Sequence, residues 1–229
     1  MPSQTSRRLL IRRAAGKLPV LKQILALKSE VQGLQAACGQ LQDMIREMGG
    51  LMPPPPHLQK RVVGVYAPDF IKSGEDLIED INAVLAHTGK NLNSFETILD
   101  FGSGCARVLR PLRRYITSAQ KLYGTDIDAE AIQWCQENYS QVAEFSVNPA
   151  MPPTIYRDDK FDLIYSISVF THLPEDMQFA WLQELHRIAK RGAYLVLSVH
   201  GENHYNKHDL AARRTMQDKG FNYRTYAKS

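Results

Sequence analysis

The sequence predicts an α/β fold, with a doubly wound parallel sheet preceded by a long helix. From residue 96 onward, apolar strand-like segments alternate with helix-like segments, and repeated βα units of this kind form parallel sheets with helices on both faces. The chain has 229 residues, of which 44% are hydrophobic and 23% charged, enough for one sizeable core and an appended segment. We therefore expect one globular domain with an extension.

The extension begins with a basic arm, residues 1–19. Residues 1–60 contain nine Lys and Arg and three acidic residues, whereas the rest of the chain contains nineteen and twenty-one. A basic cluster precedes the first acidic residue, Glu30, and contains Arg7, Arg8, Arg12, Arg13, Lys17 and Lys22. Such a cluster attracts anionic lipid, nucleic acid or an acidic protein, or it is a solvated arm. If the arm binds a partner, we expect an anionic membrane surface and not nucleic acid.

Residues 20–49 are predicted to form a coiled-coil helix. Apolar residues recur at two heptad positions, one occupied by Ile24, Val31, Cys38 and Ile45 and the other by Val20, Leu27, Leu34, Leu41 and Met48. β-Branched residues at the first position and Leu at the second favour a parallel two-stranded coil. Residues 20–48 therefore predict a homodimer. The alternative is a helix packed on its own domain, although such helices show a wider apolar stripe.

A linker is predicted at residues 50–57, because Gly49 and Gly50 end the helix and four prolines follow. The remaining residues, 58–229, are assigned to the α/β domain. This domain is expected to begin with a helix from about Gly74 to Thr88, for which Ser73 is the predicted N-cap.

The chain carries no recognisable membrane span or secretion signal. No apolar run approaches the roughly 18 residues that cross a bilayer, and "RRLLIRR" lacks the apolar stretch of a signal peptide. Cys38, Cys105 and Cys135 lie far apart, without the spacing of a metal site or a disulfide framework. We expect a cytoplasmic protein without a metal site, with the basic arm as its one candidate contact to a membrane.

The α/β pattern consists of four strand-like segments, each followed by a predicted helix. The strands are "TILDFG", "KLYGTDID", "FDLIYSISVF" and "AYLVLSVHG", and the helices run from Ala106 to Tyr115, from Ala129 to Tyr139, from Pro174 onward and from Asp209 to Lys219. Pro111 lies inside the first of these helices, where it is expected to kink the chain.

A glycine turn in "ILDFGSGCAR", residues 98–107, marks the predicted ligand site, because parallel sheets bind ligands at the carboxyl ends of their strands. Gly102 and Gly104 allow a tight turn and close backbone approach. A dinucleotide site would require glycine at position 107, which is Arg107 here. Asp100, at the end of the strand, instead suits a ligand with an amino group and a positive charge.

These motifs resemble those of the class I S-adenosylmethionine-dependent methyltransferases. The resemblance covers about residues 60 to 205 and is carried by "LDFGSGCAR", "GTDID" and "FDLIYSISVFTHL", in the family's order and at ordinary spacing. Ala106 stands where the family often has a third glycine. The resemblance implies a Rossmann-like methyltransferase sheet and S-adenosylmethionine as the cofactor.

The resemblance also implies the residues that hold this cofactor. Asp100 and the backbone of Gly102 and Gly104 would face its methionine part, and Asp126 would accept hydrogen bonds from both ribose hydroxyls. Ile127 would pack on the adenine, and Asn148 would contact the amino edge of the adenine. Ser166 would line the crevice. A carboxylate suits the ribose because it offers two acceptor oxygens to two adjacent donors. Each of these residues could instead serve only the turns or the core.

His172, in "VFTHLPED", is the predicted catalytic residue. The sulfonium activates the methyl group, so catalysis consists mainly of aligning an acceptor in a pocket that excludes water. A hydroxyl acceptor also needs a base, and a neutral imidazole accepts a proton near pH 7. His200 is the second candidate, and either histidine could instead be a structural hydrogen bonder.

The acceptor is predicted from two segments that flank the motifs. "PPPPHLQKRVVG" and "SVHGE" are similar to segments of bacterial methyltransferases that act on sugars or other small molecules. We therefore expect methyl transfer to a small molecule or a glycan, at oxygen. The alternative is a coiled-coil adaptor whose methyltransferase-like domain has little or no turnover.

The family's sheet normally ends with two antiparallel strands beyond those assigned above. After "AYLVLSVHG" about 28 residues remain, enough for one helix and the start of one strand. We therefore expect a domain that lacks the last strands, binds the cofactor and transfers methyl groups weakly or not at all on its own.

Overall fold

The computed structural model describes residues 20, 22–39, 41, 50–64 and 69–200. The chain divides into two compact units, Met1–Met52 and Pro53–Ser229, so the boundary falls inside the predicted linker. The basic arm, the helix predicted from Asp209 to Lys219 and the segment after it lie outside the described residues.

In the first unit the described residues form a helix, α1, at residue 20, over residues 22–39 and at residue 41. The side chains at the two heptad positions are exposed, with exposed fractions of 49% to 67% for Val20, Ile24, Leu27, Val31, Leu34 and Leu41. The helix prediction is confirmed over these residues, and pairing of two such helices stays a prediction.

The second unit is built on a sheet that has five strands within the described residues. The strands are β1 Thr97–Phe101, β2 Lys121–Asp126, β3 Glu144–Val147, β4 Phe161–Ser166 and β5 Ala189–Leu197. They are all parallel and follow the order β3-β2-β1-β4-β5. This arrangement confirms the predicted Rossmann-like α/β fold.

Five helices and two 3-10 turns connect or precede these strands in the described part of the second unit. They are α2 Pro56–Val63, α3 Phe70–Ala86, α4 Leu109–Leu112, α5 Ala129–Tyr139 and α6 Glu175–Ile188, with the 3-10 turns at Leu92–Ser94 and Phe170–His172. The predicted helix from Ala129 to Tyr139 is confirmed, as is the opening of α6 at Pro174, its N-cap.

Helices cover both faces of β1, the central strand. Leu99 and Phe101 pack into a cluster with Trp181 of α6, and the Phe101 and Trp181 ring centroids are 4.7 Å apart. Successive side chains of a strand point to opposite faces. Asp100 therefore lies on the other face, where its neighbour in the sheet, Gly124, lies against Leu109 of α4.

The ends of β1, β2 and β4 define the place where a ligand can bind. β1 pairs with β2 on one side and with β4 on the other, so the strand order reverses at β1. A crevice opens outside the carboxyl ends of the strands at such a reversal. The turn after β1 lies at this position, as the sequence predicts.

Helix α3 begins before the predicted position. The prediction that Ser73 caps a helix from Gly74 is wrong, because α3 begins at Phe70. Ser73 lies in the first turn, where its Oγ donates to the Phe70 carbonyl oxygen at 2.7 Å. Burial explains the earlier start, since Phe70 becomes 2% exposed when it joins the helix face that packs on the domain.

Helix α4 is shorter than predicted. The sequence predicts a helix from Ala106 to Tyr115, whereas α4 has four residues. Ala106 has a φ of 62°, in the left-handed region, so a right-handed helix cannot start there. Pro111 lacks the N–H that would bond to the Arg107 carbonyl. That carbonyl instead lies against α3, and a Cβ on Gly74 would come within 2.1 Å of its oxygen.

Candidate functional site

A cavity of about 260 Å³ lies at the carboxyl ends of β1, β2 and β4. Its wall includes Asp100, Gly102, Ser103, Gly104 and Arg107 from β1 and the turn after it, Asp126 and Asp128 from the end of β2, Ser168, Val169 and His172 from the segment after β4, and Leu58, Arg61 and Val62 from α2. Five predicted site residues, namely Asp100, Gly102, Gly104, Asp126 and His172, are thereby brought together.

The glycine turn forms the floor of this cavity, and the structure requires glycine at both positions. Gly102 and Gly104 have φ values of 84° and 52°, which L side chains rarely adopt. A Cβ on Gly102 would lie 2.1 Å from Cγ2 of Val169, and a Cβ on Gly104 would lie 2.6 Å from Cγ2 of Val62. The Gly102 N–H donates to the Thr125 carbonyl oxygen at 2.8 Å, which ties the turn to β2.

Asp126 holds the turn and the start of α5 together. Its Oδ2 accepts from the Gly104 N–H at 2.7 Å and its Oδ1 accepts from the Asp128 N–H at 2.8 Å. A carboxylate has about four acceptor positions, so roughly two remain for a ligand. Because Asp126 lines the cavity, a pair of adjacent hydroxyl groups fits these positions.

Asp100 is a buried acid at the centre of the site, 2% exposed. Burial raises the pKa of its carboxyl to about 8, and the negative charge of Asp126 adds to this increase. The nearby Tyr165 hydroxyl and the Arg107 guanidinium act in the opposite direction. The carboxyl is therefore mostly protonated at neutral pH, and a cationic ligand group would favour its ionised form.

Two residues of the cavity wall carry a buried polar atom without a hydrogen-bond partner among the described residues. Ser103 is 4% exposed, and its Oγ has no hydrogen-bond partner among the described residues. The same is true of Nε of Arg107. Buried polar atoms are nearly always hydrogen bonded, so the wall fits a ligand that supplies polar groups. S-Adenosylmethionine has such groups in its ribose and its amino acid end.

Arg61 and Asp128 close the cavity on the side of α2 and α5. Arg61 pairs with Asp128 at 2.9 Å and also with Glu130, while Oδ1 of Asp128 accepts from the Ala131 N–H and caps α5. The bond to Arg61 and those to backbone amides lower the pKa of Asp128, against the effect of burial. Sequence reasoning missed both residues, and only the capping position of Asp128 could have indicated one of them.

His172 lies at the end of a 3-10 turn on the β4 side of the cavity. Its backbone N–H donates to the Val169 carbonyl oxygen at 2.9 Å, and its side chain is exposed. Ser168, in the same segment, has a φ of 60° and donates its N–H to Oγ of Ser198. The imidazole is therefore on the wall of the cavity and open to solvent. His200 is not on this wall.

Three predicted cofactor residues do not line the cavity. Ile127 follows Asp126 and is 61% exposed. Asn148 is buried, and its side chain accepts from the Thr125 hydroxyl and donates to the Pro149 carbonyl oxygen. Ser166 is fully buried and donates to the Phe101 carbonyl oxygen at 2.8 Å. Asn148 and Ser166 thus have structural hydrogen bonds, and their contact with a cofactor stays a prediction.

Comparison with known proteins identifies the part of the chain that contains this site. Residues 99–197 match the model of a family described as a methyltransferase domain. These residues run from β1 to the end of β5 and include the glycine turn, Asp126 and His172.

Residues 99–197 resemble a methyltransferase domain. This match indicates S-adenosylmethionine as the cofactor, as the sequence predicts.

Solved structures with a similar fold include several proteins from bacteria. The YcgJ protein from Bacillus subtilis is 20% identical, with a TM-score of 0.41, and the match covers 52% of this chain and 50% of that protein. An S-adenosylmethionine-dependent methyltransferase from Aquifex aeolicus is 24% identical over 63% of this chain and 72% of that protein, with a TM-score of 0.46. Another S-adenosylmethionine-dependent methyltransferase, from Clostridium acetobutylicum, is 14% identical, and the match covers 66% of this chain and 58% of that protein, with a TM-score of 0.48. This chain thus spans about half the length of the Bacillus protein.

Proposed function

We propose that this chain transfers the methyl group of S-adenosylmethionine to a hydroxyl oxygen of a small molecule or a glycan. The single observation that carries the proposal is the cavity of the methyltransferase domain, where the glycine turn, the two acids Asp100 and Asp126, and His172 share one wall.

The turn and the two acids are the residues that would hold the cofactor. Asp126 has acceptor capacity left for the ribose hydroxyls, and the amides of Gly102 and Gly104 are already fixed by hydrogen bonds. These hydrogen bonds hold the turn in one shape, so the turn needs no reorganisation when a ligand binds against it. When bound, the cofactor supplies a methyl group that the positive sulfur makes electrophilic.

His172 is proposed as the base that takes the proton from the acceptor hydroxyl. Its imidazole lies on the β4 side of the cavity, whereas Asp126 lies on the β2 side. An acceptor between the cavity and solvent could reach both the imidazole and the bound methyl group. The exposure of His172 favours an acceptor that arrives from solvent, such as a soluble small molecule or a sugar.

Methyl transfer to a panel of hydroxylated small molecules and glycans tests this function. The full chain is incubated with S-adenosylmethionine labelled in the methyl group, and labelled products are separated. We expect transfer to at least one acceptor, weak in this chain on its own, and lowered about 100-fold or more in kcat by His172→Ala, since general bases contribute roughly 10²–10⁴-fold. His186→Ala is the control, because His186 lies at the end of α6 and does not line the cavity.

The outcomes separate an enzyme from an adaptor. Cofactor binding without transfer to any acceptor would support the coiled-coil adaptor instead. Transfer that His172→Ala leaves unchanged would contradict the role of His172 but not the methyl transfer.

We also propose that the chain is a cytoplasmic homodimer held by residues 20–48. The support is the heptad pattern together with the exposure of Leu27, Leu34 and the other heptad side chains on α1. A parallel pair would bring two basic arms to one end, which would strengthen attraction to an anionic membrane surface. Binding of the full chain to anionic vesicles, compared with neutral vesicles, tests the proposed attraction to a membrane surface.

A further inference from the structure

Two valine side chains lie directly over the glycine turn of the cavity. A Cβ on Gly102 would come within 2.1 Å of Val169, and a Cβ on Gly104 within 2.6 Å of Val62. With both valines in place, the volume of the cavity is about 260 Å³. Pockets for drug-sized ligands have volumes of roughly 300–1,000 Å³. The cavity must therefore widen before a ligand as large as S-adenosylhomocysteine, a nucleoside joined to an amino acid, can lie against the turn.

The segment that carries Val169 is anchored in the domain. Phe170, the next residue, is 3% exposed and packs near Phe101 of β1, with the two ring centroids 6.4 Å apart. On the other side of Val169, the Ser168 N–H donates to Oγ of Ser198 at 2.6 Å. A movement of Val169 away from the turn would therefore disturb the core of the sheet.

Helix α2, which carries Val62, is anchored less deeply. One of its eight residues, Leu58, is buried, in a small cluster that includes Phe70 and Ala131. The helix begins without a hydrogen bond from a capping side chain and ends at Gly64, which has a φ of 77°. The wall of the cavity that can move with the least loss of packing is therefore α2.

Charged side chains fasten α2 to the start of α5. Nη1 of Arg61 donates to the two carboxylate oxygens of Asp128 at 3.1 and 2.9 Å, and Nη2 donates to Glu130. One turn earlier on α2, Nε2 of His57 donates to Glu130 at 3.0 Å. We call these four side chains the α2 latch. Because three of them are about half exposed, dissolved salt weakens the latch by screening its charges.

We infer that the α2 latch is an autoinhibitory contact, which holds Val62 over the glycine turn and has to open before the cofactor binds. This inference rests on the proposed function, because it requires that S-adenosylmethionine occupies this cavity. A contact that exists in one of two states shifts the equilibrium towards that state, so the latch favours the closed cavity and lowers the affinity for the cofactor. The alternative is that Arg61 contacts the bound cofactor, in which case its loss would weaken binding.

Calorimetric titration of the full chain with S-adenosylhomocysteine tests the sign of this effect. In Arg61→Met the dissociation constant should fall about fivefold, the upper range for an exposed ion pair, because Arg61 contacts two acids and one of them through both oxygens. Glu130→Gln should lower the dissociation constant about twofold. Since Glu130 does not line the cavity, this second variant changes the latch without changing the wall.

Salt provides an independent measurement on the wild-type chain. Raising the salt concentration from about 0.05 M to about 0.5 M should strengthen binding of S-adenosylhomocysteine to the wild-type chain, and should do so less in Arg61→Met, where the latch is already broken. An equal response of the two chains to salt would overturn the inference.

Arg114→Met is the matched control. Arg114 is exposed and pairs with Glu75 at 3.1 Å, away from the cavity wall, so its loss should leave the dissociation constant unchanged. An unchanged or higher dissociation constant in Arg61→Met would overturn the inference, and a higher one would identify Arg61 as a contact of the bound ligand. If Arg61→Met does not fold, the same outcomes in Glu130→Gln overturn it. A wild-type chain and variants that all fail to bind S-adenosylhomocysteine would overturn the proposed function itself, and the inference with it.

Discussion

Asp126→Ala removes the side chain on which the glycine turn depends. Its two oxygens accept from the N–H groups of Gly104 and Asp128 at 2.7 and 2.8 Å. Hydrogen bonds to a charged group contribute about 1.5–3 kcal/mol each, and Asp126 is half-buried, so we expect a loss of about 2 kcal/mol in the free energy of unfolding. The buried amide of Gly104 would lose its partner.

The effect on cofactor binding should exceed the effect on folding. If both ribose hydroxyls donate to Asp126, the substitution removes two charge-assisted hydrogen bonds and weakens binding of S-adenosylhomocysteine at least tenfold. Calorimetric titration measures this change, with thermal unfolding as the check that the variant is folded.

Asp76→Ala is the matched control for this experiment. Asp76 is an exposed acid on α3 that pairs with Lys72, away from the cavity wall. This variant should bind S-adenosylhomocysteine as the wild-type chain does. A dissociation constant that Asp126→Ala leaves unchanged would refute the assignment of Asp126 to the ribose.

Three further predictions concern pH, the turn and the N-terminal helix. Affinity for S-adenosylhomocysteine should rise by up to about tenfold per unit between pH 6 and 8 and level off above, because the pKa of Asp100 is about 8 and an ammonium requires the ionised carboxyl. Gly102→Ala should lower the melting temperature more than Gly89→Ala, since both glycines have positive φ but only Gly102 lacks room for a Cβ. Replacing Leu27 and Leu34 together by Glu should convert a dimer into a monomer in light scattering, because it places charges on the predicted seam.

Each of these predictions has its own control. Titration at several pH values should show no rise for Asp100→Asn, and a rise of the same size in this variant would exclude Asp100 as the group responsible. Equal melting temperatures for the two glycine variants would mean that the turn adapts to a Cβ. On α1, Glu at Ser29 and Gln32, outside the heptad seam, should leave the dimer intact; a wild-type chain that is monomeric at micromolar concentration would contradict the coiled coil.

The sequence is most informative where local chemistry and tertiary packing agree. Helix α5 is predicted with its observed bounds from the alternation of strands and helices, and in the structure the Asp128 side chain caps it at the predicted start. The turn after β1 is predicted for the same reason, since Gly102 and Gly104 are needed both for the backbone and for close approach. At this turn glycine satisfies both the positive φ of the backbone and the lack of room for a side chain.

Predictions fail where distant residues decide the local structure. Ser73 has the chemistry of a cap, but burial of Phe70 moves the start of α3. Strand β3 has four residues, of which Phe145 is the buried one, so no periodic signal marked it as a strand. The sequence shows Arg107 only as a departure from a dinucleotide motif. Its place on the cavity wall depends on how the chain packs against α3, which no local pattern contains.

Hydrogen–deuterium exchange of the full chain, with and without saturating S-adenosylhomocysteine, tests most directly whether this cavity is the cofactor site. We predict slower amide exchange at residues 101–108 and 126–131, which form the turn and the end of β2, when the ligand is present. Exchange around a second cavity, beside Asp158, Lys190 and Gly192 at the other end of β5, should not change. Protection at this second cavity, or none at the glycine turn, would contradict the account.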